Sequence, residues 1–353
     1  MSNNIGTKNE KHDTFIIAEA GVNHNGRLDI AKKLIDVAAD SGADAVKFQT
    51  FNVDKLVCRY APKAEYQSKA DNATTTQYEM LKGLEFSKKE HIHLVKHCRK
   101  RKILFMSTPF DEESLQLLIN LKLQIIKISS SDITNLPLLR SIGMLKKRVI
   151  LSTGMSTLME IQEAVNILLK TGMSEREITI LHCNSEYPTP FHDVNLMVLK
   201  TLQAEFPNNR IGYSDHTLGI EAPIAAVALG AKVIEKHVTL DRSMRGPDHK
   251  ASIECKELKE MVVAIRNIEK ALGSGIKRPT ASELKNKSVV RRSIVAARHI
   301  NKGEIFTDQS LAVKRPGTGI SPMRWDEVIE KRAERAYRAD EAISNPSDKE
   351  LRK

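Results

Sequence analysis

The chain has 353 residues, 41% of them apolar, which is enough for a barrel domain of about 250 residues and a small second domain. No apolar run approaches the roughly 18 residues of a membrane helix, and the polar N-terminus argues against secretion. A formal charge of +11 could attract nucleic acid, but no basic run is interleaved with stacking aromatic rings. The four cysteines form no C-x-x-C pair, which favours reduced thiols. We therefore expect a soluble cytoplasmic protein with small-molecule partners, no nucleic acid and no membrane.

Eight β-rich runs alternate with amphipathic segments over the first 270 residues. The runs are FIIAEA (15–20), AVKFQT (45–50), ILFMST (103–108), IIKISS (125–130), VILSTG (149–154), ITILHC (178–183), RIGYSD (210–215) and VIEKHV (233–238). Between them, apolar residues recur every three or four positions, as on the buried face of a helix. Gly42 and Gly172 stand where helix C-caps belong. Eight βα units predict an α/β fold, a (β/α)8 TIM barrel.

Two segments depart from this alternation. Residues 51–102 exceed one helix and its loops, so we expect an excursion over one barrel mouth, within KLVCRYAPKAEYQSKADNATTTQ. Residues 273–290 are rich in Gly, Ser and Lys and are predicted to form a linker with a coil reach of roughly 20–25 Å. Short strands and NKGE and PGTG turns follow, so the predicted domains are a barrel (1–272), a linker (273–290) and a small β-rich domain (291–353).

Polar residues end every run, and the carboxyl ends of barrel strands share one rim. They are Glu19, Lys47, Gln49, Ser107, Thr108, Lys127, Ser130, Ser152, Thr153, His182, Asn184, Ser214, Asp215, His216, Glu235 and His237. For Ser107 and Thr153 a helix N-cap is an equal alternative, and Glu235 could be only structural. Lys47 and Lys127 are flanked by apolar residues on different strands, so their ammonium groups should converge. Because like charges repel, this convergence predicts a phosphate or carboxylate ligand between them.

His216 and His237 end strands that are adjacent in the predicted barrel. Two imidazoles on one rim suit a divalent metal, although a pair of hydrogen-bonded histidines fits the spacing equally well. Three further histidines on one basic helical stretch are predicted to lie on the surface: His91, His93 and His97.

These rim residues belong to longer motifs, found in order between about Phe15 and Ile320. The motifs are EAGVNHNGRLDIAKKLI, AVKFQTF, APKAEYQ, STPFDEES, STGMST, LHCNSEYPTPFHDVNL, GYSDHTLG, EKHVTLDRSMRGPDHKASIE and KRPGTGISP. The set resembles the bacterial sialic acid (N-acetylneuraminate) synthase family. The C-terminal part resembles the antifreeze-like (SAF) domain of those synthases.

The resemblance implies that phosphoenolpyruvate condenses with an open-chain N-acylated hexose, N-acetylmannosamine in the commonest case. The products would be N-acetylneuraminate and phosphate, released by C–O cleavage, and Mn²⁺ or Mg²⁺ would activate the aldehyde. By resemblance, the metal ligands are His216 and His237, and Glu19 is an acid near the reacting carbons. The phosphoenolpyruvate set is Lys47, Thr108, Lys127, Ser130, Ser152 and Ser214, and the sugar set is Gln49, Tyr187, Asp248 and Arg315. Arg315 would come from the partner subunit of a domain-swapped homodimer.

One motif departs from the family pattern, and three other functions stay open. In KISSSDITNLP, Ser131 and Asp132 replace the usual Gly and Glu, so the role of that acid is open. Legionaminic acid synthases, which use 2,4-diacetamido-2,4,6-trideoxymannose, share most of the motifs. A Schiff-base aldolase using Lys127 and a non-catalytic sugar-phosphate binder are the more remote alternatives, because fold does not fix function.

Overall fold

The computed structural model describes residues 13–65, 67 and 76–344. The chain divides into two compact units, Met1–Gly273 and Ser274–Lys353. The first contains eight parallel strands with surrounding helices, and the second contains a small antiparallel sheet. The predicted fold class, an α/β barrel followed by a small β-rich domain, is confirmed. No helix within these residues is long and apolar enough to cross a bilayer.

The strands of the first unit lie where the β-rich runs predicted them. They are β1 (Phe15–Gly21), β2 (Ala45–Thr50), β3 (Leu104–Pro109), β4 (Ile125–Ile128), β5 (Arg148–Ser152), β6 (Ile178–Cys183), β7 (Arg210–Asp215) and β8 (Val233–His237). They pair in parallel in the order β3-β2-β1-β8-β7-β6-β5-β4. The two end strands, β3 and β4, lie side by side without a backbone ladder, so the sheet is a nearly closed barrel.

Helices follow the strands and pack outside them. They are α1 (Leu28–Asp40), α2 (Val53–Leu56), α3 (Gln77–Lys82), α4 (Lys88–Arg101), α5 (Glu112–Asn120), α6 (Leu136–Met144), α7 (Leu158–Lys170), α8 (Val198–Glu205), α9 (Glu221–Ala228) and α10 (Cys255–Leu272). Gly42 and Gly172 come just after the caps of α1 and α7 with φ of +83° and +94°, a region that other residues rarely adopt. The segment 51–102 carries α2, α3 and α4, and the predicted excursion within it lies partly outside the described residues.

Side-chain alternation along the strands builds the barrel interior in two layers. The lower layer is apolar and lies toward the amino ends of the strands: Ile17, Ala45, Met106, Ile125, Ile150, Leu181 and Val233. Because side chains alternate with a period of two, the residue two positions later on each strand faces the same interior. That upper layer consists of Glu19, Lys47, Thr108, Lys127, Ser152, Cys183, Ser214 and Glu235. The barrel interior is therefore apolar toward the amino ends of the strands and polar toward their carboxyl ends.

A buried ion pair fixes the carboxyl ends of β7 and β8 to each other. The ammonium group of Lys236 contacts the carboxylate of Asp215 and the carbonyl oxygen of Thr217, and both charged side chains are fully buried. The Tyr213 hydroxyl donates to the same carboxylate at 2.9 Å. Each charged partner immediately precedes a predicted metal ligand in the sequence, so the pair holds both of those histidines in place.

The second unit has its own small core. Its elements are α11 (Ala281–Val290), β9 (Ser293–Ala296), β10 (Leu311–Lys314) and α12 (Trp325–Val328), with β9 and β10 antiparallel. Ile294, Phe306 and Tyr337 are among its buried residues. The coil form predicted for the linker is wrong, because α11 occupies its second half. Thr280 and Glu283 form a reciprocal capping box that starts this helix.

Candidate active site

Four charged side chains meet in the upper layer of the barrel. The ammonium nitrogen of Lys47 lies 2.8 Å from the Glu19 carboxylate and 3.5 Å from Oε1 of Glu235. The ammonium nitrogen of Lys127 lies 3.8 Å from the same Glu235 oxygen. All four side chains are almost completely buried. The two lysines thus converge around a carboxylate of the protein itself, so their repulsion alone does not require a bound ligand.

The two carboxylates differ in protonation because their surroundings differ. Burial raises the pKa of Glu19 to about 8, although Lys47 opposes this shift. Burial also acts to raise the pKa of Glu235, but Lys127 and Lys47 outweigh it and lower that pKa. At neutral pH, Glu19 therefore holds a proton while Glu235 is ionised. With both lysines charged, the cluster has an excess of one positive charge, which suits a bound anion.

Hydroxyl groups surround these lysines. Oγ1 of Thr108 accepts a hydrogen bond from Lys47 at 3.2 Å, and Oγ of Ser152 accepts one from Lys127 at 2.6 Å. Ser214 donates to Glu235 at 3.4 Å. Five of the six predicted phosphoenolpyruvate residues are therefore within one hydrogen-bonded group.

Ser130, the sixth member of that set, lies beside a close-packed glycine. Its hydroxyl accepts the backbone N–H of Gly154 at 2.9 Å and lies 3.2 Å from the sulfur of Cys183. A Cβ at Gly154 would be only 2.2 Å from Oγ of Ser185. The absence of a side chain at residue 154 thus lets three loops approach one another.

The two predicted metal ligands lie next to each other with neutral rings. The ring centroids of His216 and His237 are 5.3 Å apart, and Tyr187 stacks on His216 at 4.0 Å. Burial lowers the pKa of His216 to about 4. Burial and the neighbouring His216 lower that of His237 well below its usual value. Nδ1 of His216 donates to the carbonyl oxygen of Asn184, which leaves its Nε2 with a free lone pair.

The donor set fits a divalent cation held partly by substrate and water. Nδ1 of His237 is buried and has no hydrogen-bond partner among the described residues, and it lies 3.8 Å from the Asp248 carboxylate. Burial raises the pKa of Asp248 to about 6. No group of three or more His, Cys, Asp or Glu side chains suited to a metal occurs within the described parts of the chain. Two neutral imidazoles would thus leave most coordination positions open.

The predicted acid, one predicted metal ligand and one predicted sugar-contacting residue converge at one point beside Gly21. A Cβ built there would lie 3.3 Å from Oε1 of Glu19, 3.4 Å from Cε1 of His237 and 3.5 Å from Nε2 of Gln49. Gly21 has φ of +50°.

Arg315 is an exposed residue of the second unit, and its role in a partner's site stays a prediction.

Two residues differ from their sequence-based interpretation. Glu235, which could have been only structural, stands at the centre of the charged cluster, and its spacing of two from Val233 was the available signal. The surface prediction for His91 is wrong. Its Nε2 lies 2.9 Å from Oγ1 of Thr50, because His91 is on the same buried face of α4 as Leu94 and Cys98.

The substituted acid, Asp132, does not join the charged cluster directly. It is buried, and its Oδ1 accepts a hydrogen bond from Asn135 at 3.1 Å. Burial raises its pKa. This carboxylate therefore stabilises the turn after β4.

The raised pKa of Glu19 predicts a pH-dependent stability. Between about pH 5 and pH 8 the folded chain holds a proton on Glu19 that the unfolded chain has lost, so the free energy of unfolding contributed by this residue falls as pH rises. The slope for one proton is at most about 1.4 kcal/mol per pH unit. Urea unfolding of wild type and Glu19→Gln across this range should show a smaller decline for the variant. Glu163→Gln, which removes an exposed carboxylate, is the matched control. Parallel curves for wild type and Glu19→Gln would contradict the assignment.

Two family models match this chain. Residues 34–277 match the NeuB family, and residues 291–347 match the SAF domain. The N,N'-diacetyllegionaminic acid synthase of Campylobacter jejuni is 53% identical over 94% of this chain and 98% of its own length. The synthase of the same name from Legionella pneumophila is 46% identical over 94% and 93%.

A solved structure also matches the fold. The N-acetylneuraminic acid (sialic acid) synthetase of Leptospira borgpetersenii has 40% sequence identity and a TM-score of 0.68, covering 78% of this chain and 90% of its own. The family match covers most of the chain, and the relatives are similar over nearly their whole length. The chain belongs to the NeuB family and is a phosphoenolpyruvate-dependent synthase that forms a carbon–carbon bond.

Proposed function

We propose that this enzyme condenses phosphoenolpyruvate with 2,4-diacetamido-2,4,6-trideoxymannose to give N,N'-diacetyllegionaminic acid and phosphate. The observation that carries the proposal is the high identity to two synthases named for that product, above that of the sialic acid synthetase. This sequence identity favours the diacetamido sugar over N-acetylmannosamine as the substrate. The diacetamido sugar is the alternative that the motifs had left open.

The charged cluster supplies the binding site for phosphoenolpyruvate in this proposal. Lys47 and Lys127 pair with its phosphate and carboxylate, and the hydroxyls of Thr108 and Ser152 complete the hydrogen bonds. The buried Glu235 holds the two ammonium groups at a fixed separation before the substrate arrives. Such preorganisation lowers the reorganisation needed in the transition state.

The condensation needs one proton at the aldehyde oxygen and releases one from water. C3 of phosphoenolpyruvate attacks the aldehyde carbon, and the C2–C3 π electrons form the new bond. Glu19, protonated at neutral pH, gives its proton to the aldehyde oxygen. Water then adds to the cationic C2 and returns a proton to Glu19. Finally, the C2–O bond to phosphate breaks, the leaving phosphate takes the proton of the new C2 hydroxyl, and C2 becomes the ketone of the product.

We also propose His216 and His237 as the ligands of Mn²⁺ or Mg²⁺. A bound cation would polarise the aldehyde carbonyl as a Lewis acid. The chain's own contribution is to keep both imidazoles neutral, to orient His216 through Asn184, and to place Gln49 and Asp248 beside the sugar. The swapped homodimer, the role of Arg315 and a cytoplasmic location are retained as proposals from the resemblance.

The Schiff-base alternative has one favourable observation, because burial lowers the pKa of Lys127. A free amine is the nucleophile that such aldolases need. However, its nitrogen is within hydrogen-bonding distance of Ser152 and of the carbonyl oxygen of Ile128. Lys127 is therefore better suited to binding an anion than to forming an imine.

The choice of sugar is tested by a substrate panel. Phosphate release should be measured with phosphoenolpyruvate and, in turn, the diacetamido trideoxy sugar, N-acetylmannosamine and its 6-phosphate. We expect kcat/KM to be at least tenfold higher for the diacetamido sugar, because one substituent contributes about 1–3 kcal/mol of discrimination. Reactions that lack either substrate are the controls. A higher value for N-acetylmannosamine would replace the proposed product by N-acetylneuraminate, and no release with any sugar would overturn the enzyme assignment.

The metal proposal is tested by removing one imidazole at a time. His216→Ala and His237→Ala should each weaken Mn²⁺ binding, measured by calorimetry, at least tenfold and abolish turnover, because each removes one of two protein ligands. His93→Ala, which changes an exposed histidine, is the control and should bind Mn²⁺ like wild type. Undiminished Mn²⁺ affinity in both site variants, or full activity after exhaustive chelation, would refute the assignment.

A further inference from the structure

A cavity opens at the opposite end of the barrel from the charged cluster. It has a volume of about 350 Å³ and lies at the amino ends of the strands. Phe15, Ile125, Ile150 and Val233 form its apolar floor. They belong to the lower interior layer, or pack against it, so this layer separates the cavity from the active site above.

Three arginines from neighbouring positions around the barrel line this cavity. Arg148 begins β5, and Arg210 begins β7. Arg176 lies in the helical turn that immediately precedes β6. Because β5, β6 and β7 are consecutive in the sheet, the topology itself brings the three guanidinium groups to one edge.

Arg176 and Arg210 have little compensation from the described part of the protein. Glu177 also lines the cavity, but its carboxylate accepts the backbone N–H and the hydroxyl of Ser174 at 2.9 and 3.1 Å. Arg176 and Arg210 are both exposed, and within the described part of the chain no ion pair joins either of them to Glu177. Burial and the proximity of Arg210 lower the pKa of Arg148, and Glu177 opposes this shift. Like charges held at one edge are stabilised when an anion lies between them.

We propose that this cavity binds a small phosphate ester of about the size of a nucleoside monophosphate or a hexose phosphate. Guanidinium groups match phosphate oxygens with paired hydrogen bonds, which favours phosphate over a simple halide. The volume is within the range of small-molecule sites and exceeds what one inorganic phosphate fills. The apolar floor, including the ring of Phe15, provides a surface for the organic part of the ligand.

The apolar lower layer of the barrel lies between this cavity and the proposed phosphoenolpyruvate site. Ile125 and Lys127 are two residues apart on β4, as Val233 and Glu235 are on β8. A rise of about 3.3 Å per residue puts the two layers roughly 7 Å apart. Substitutions at the arginines therefore leave the catalytic side chains untouched.

Binding of adenosine 5′-monophosphate and of glucose 6-phosphate, measured by calorimetry on the full chain, tests the proposal. Adenosine and glucose are the unphosphorylated controls. We expect at least one ester to bind with a Kd below about 1 mM, and neither control to bind at that concentration. The double variant Arg176→Glu, Arg210→Glu should weaken that binding at least tenfold, because it replaces attraction by repulsion. Arg148 is left unchanged because it makes a further interaction.

A second double variant, Lys33→Glu with Arg140→Glu, changes the net charge equally at exposed helical positions away from the cavity. It should bind the ester like wild type. The KM for phosphoenolpyruvate should be within twofold of wild type in both double variants, which shows that the active site is intact. Equal ester affinity in wild type and the Arg176, Arg210 variant would place the ester elsewhere and overturn the proposal. So would the absence of binding by both esters, or equal weakening in the Lys33, Arg140 variant.

Discussion

The burial of four charged side chains inside one barrel is the constraint on which the rest of the site depends. Removing Lys47, Lys127, Glu19 and Glu235 from water is unfavourable, and it is offset only when charges and hydrogen bonds are matched at short distance. The arrangement meets this requirement unevenly, since Glu235 is ionised between two lysines while Glu19 keeps a proton. In the proposed mechanism, this difference between the two carboxylates provides both a positive site for an anion and an acid for the sugar. The same low-polarity surroundings keep the nearby imidazoles neutral.

The barrel produces this arrangement by strand periodicity alone. Seven of the eight strands send an apolar residue into the interior and, two positions later, a polar or thiol side chain, while β7 has Gly212 before Ser214. The upper layer therefore rests on the apolar layer. The buried pair of Lys236 and Asp215 then fixes β7 to β8 just before the two histidines. Positive charge also collects at the other end, where arginines begin β5 and β7. Both ends of the barrel therefore carry positive charge that suits an anion, from lysines toward the carboxyl ends of the strands and from arginines at the amino ends.

Much of the fold could be predicted because its signals are local. The eight β-rich runs and the C-cap glycines follow from residue type and period, and the polar strand ends already indicated a common rim. The interior position of Glu235 could be expected from its spacing of two from Val233, but its pairing with two lysines on other strands could not, because no local pattern shows that pairing. His91 was placed wrongly because charged neighbours masked the apolar face of α4. The coil prediction for 273–290 missed a capping box, which was a local signal. The sugar substituent leaves no local pattern at all, so its assignment depended on relatives.

Binding of phosphoenolpyruvate by the charged cluster is tested by measuring the affinity of Lys127→Met for that anion in the absence of sugar. The variant keeps the length of the side chain but removes the charge that faces Ser152 and Glu235. Lys33→Met, at an exposed position, is the matched control, and circular dichroism verifies folding of both. We expect a Kd at least a hundredfold higher for Lys127→Met, equivalent to about 2.7 kcal/mol. An unchanged Kd in a folded Lys127→Met variant would contradict this expectation.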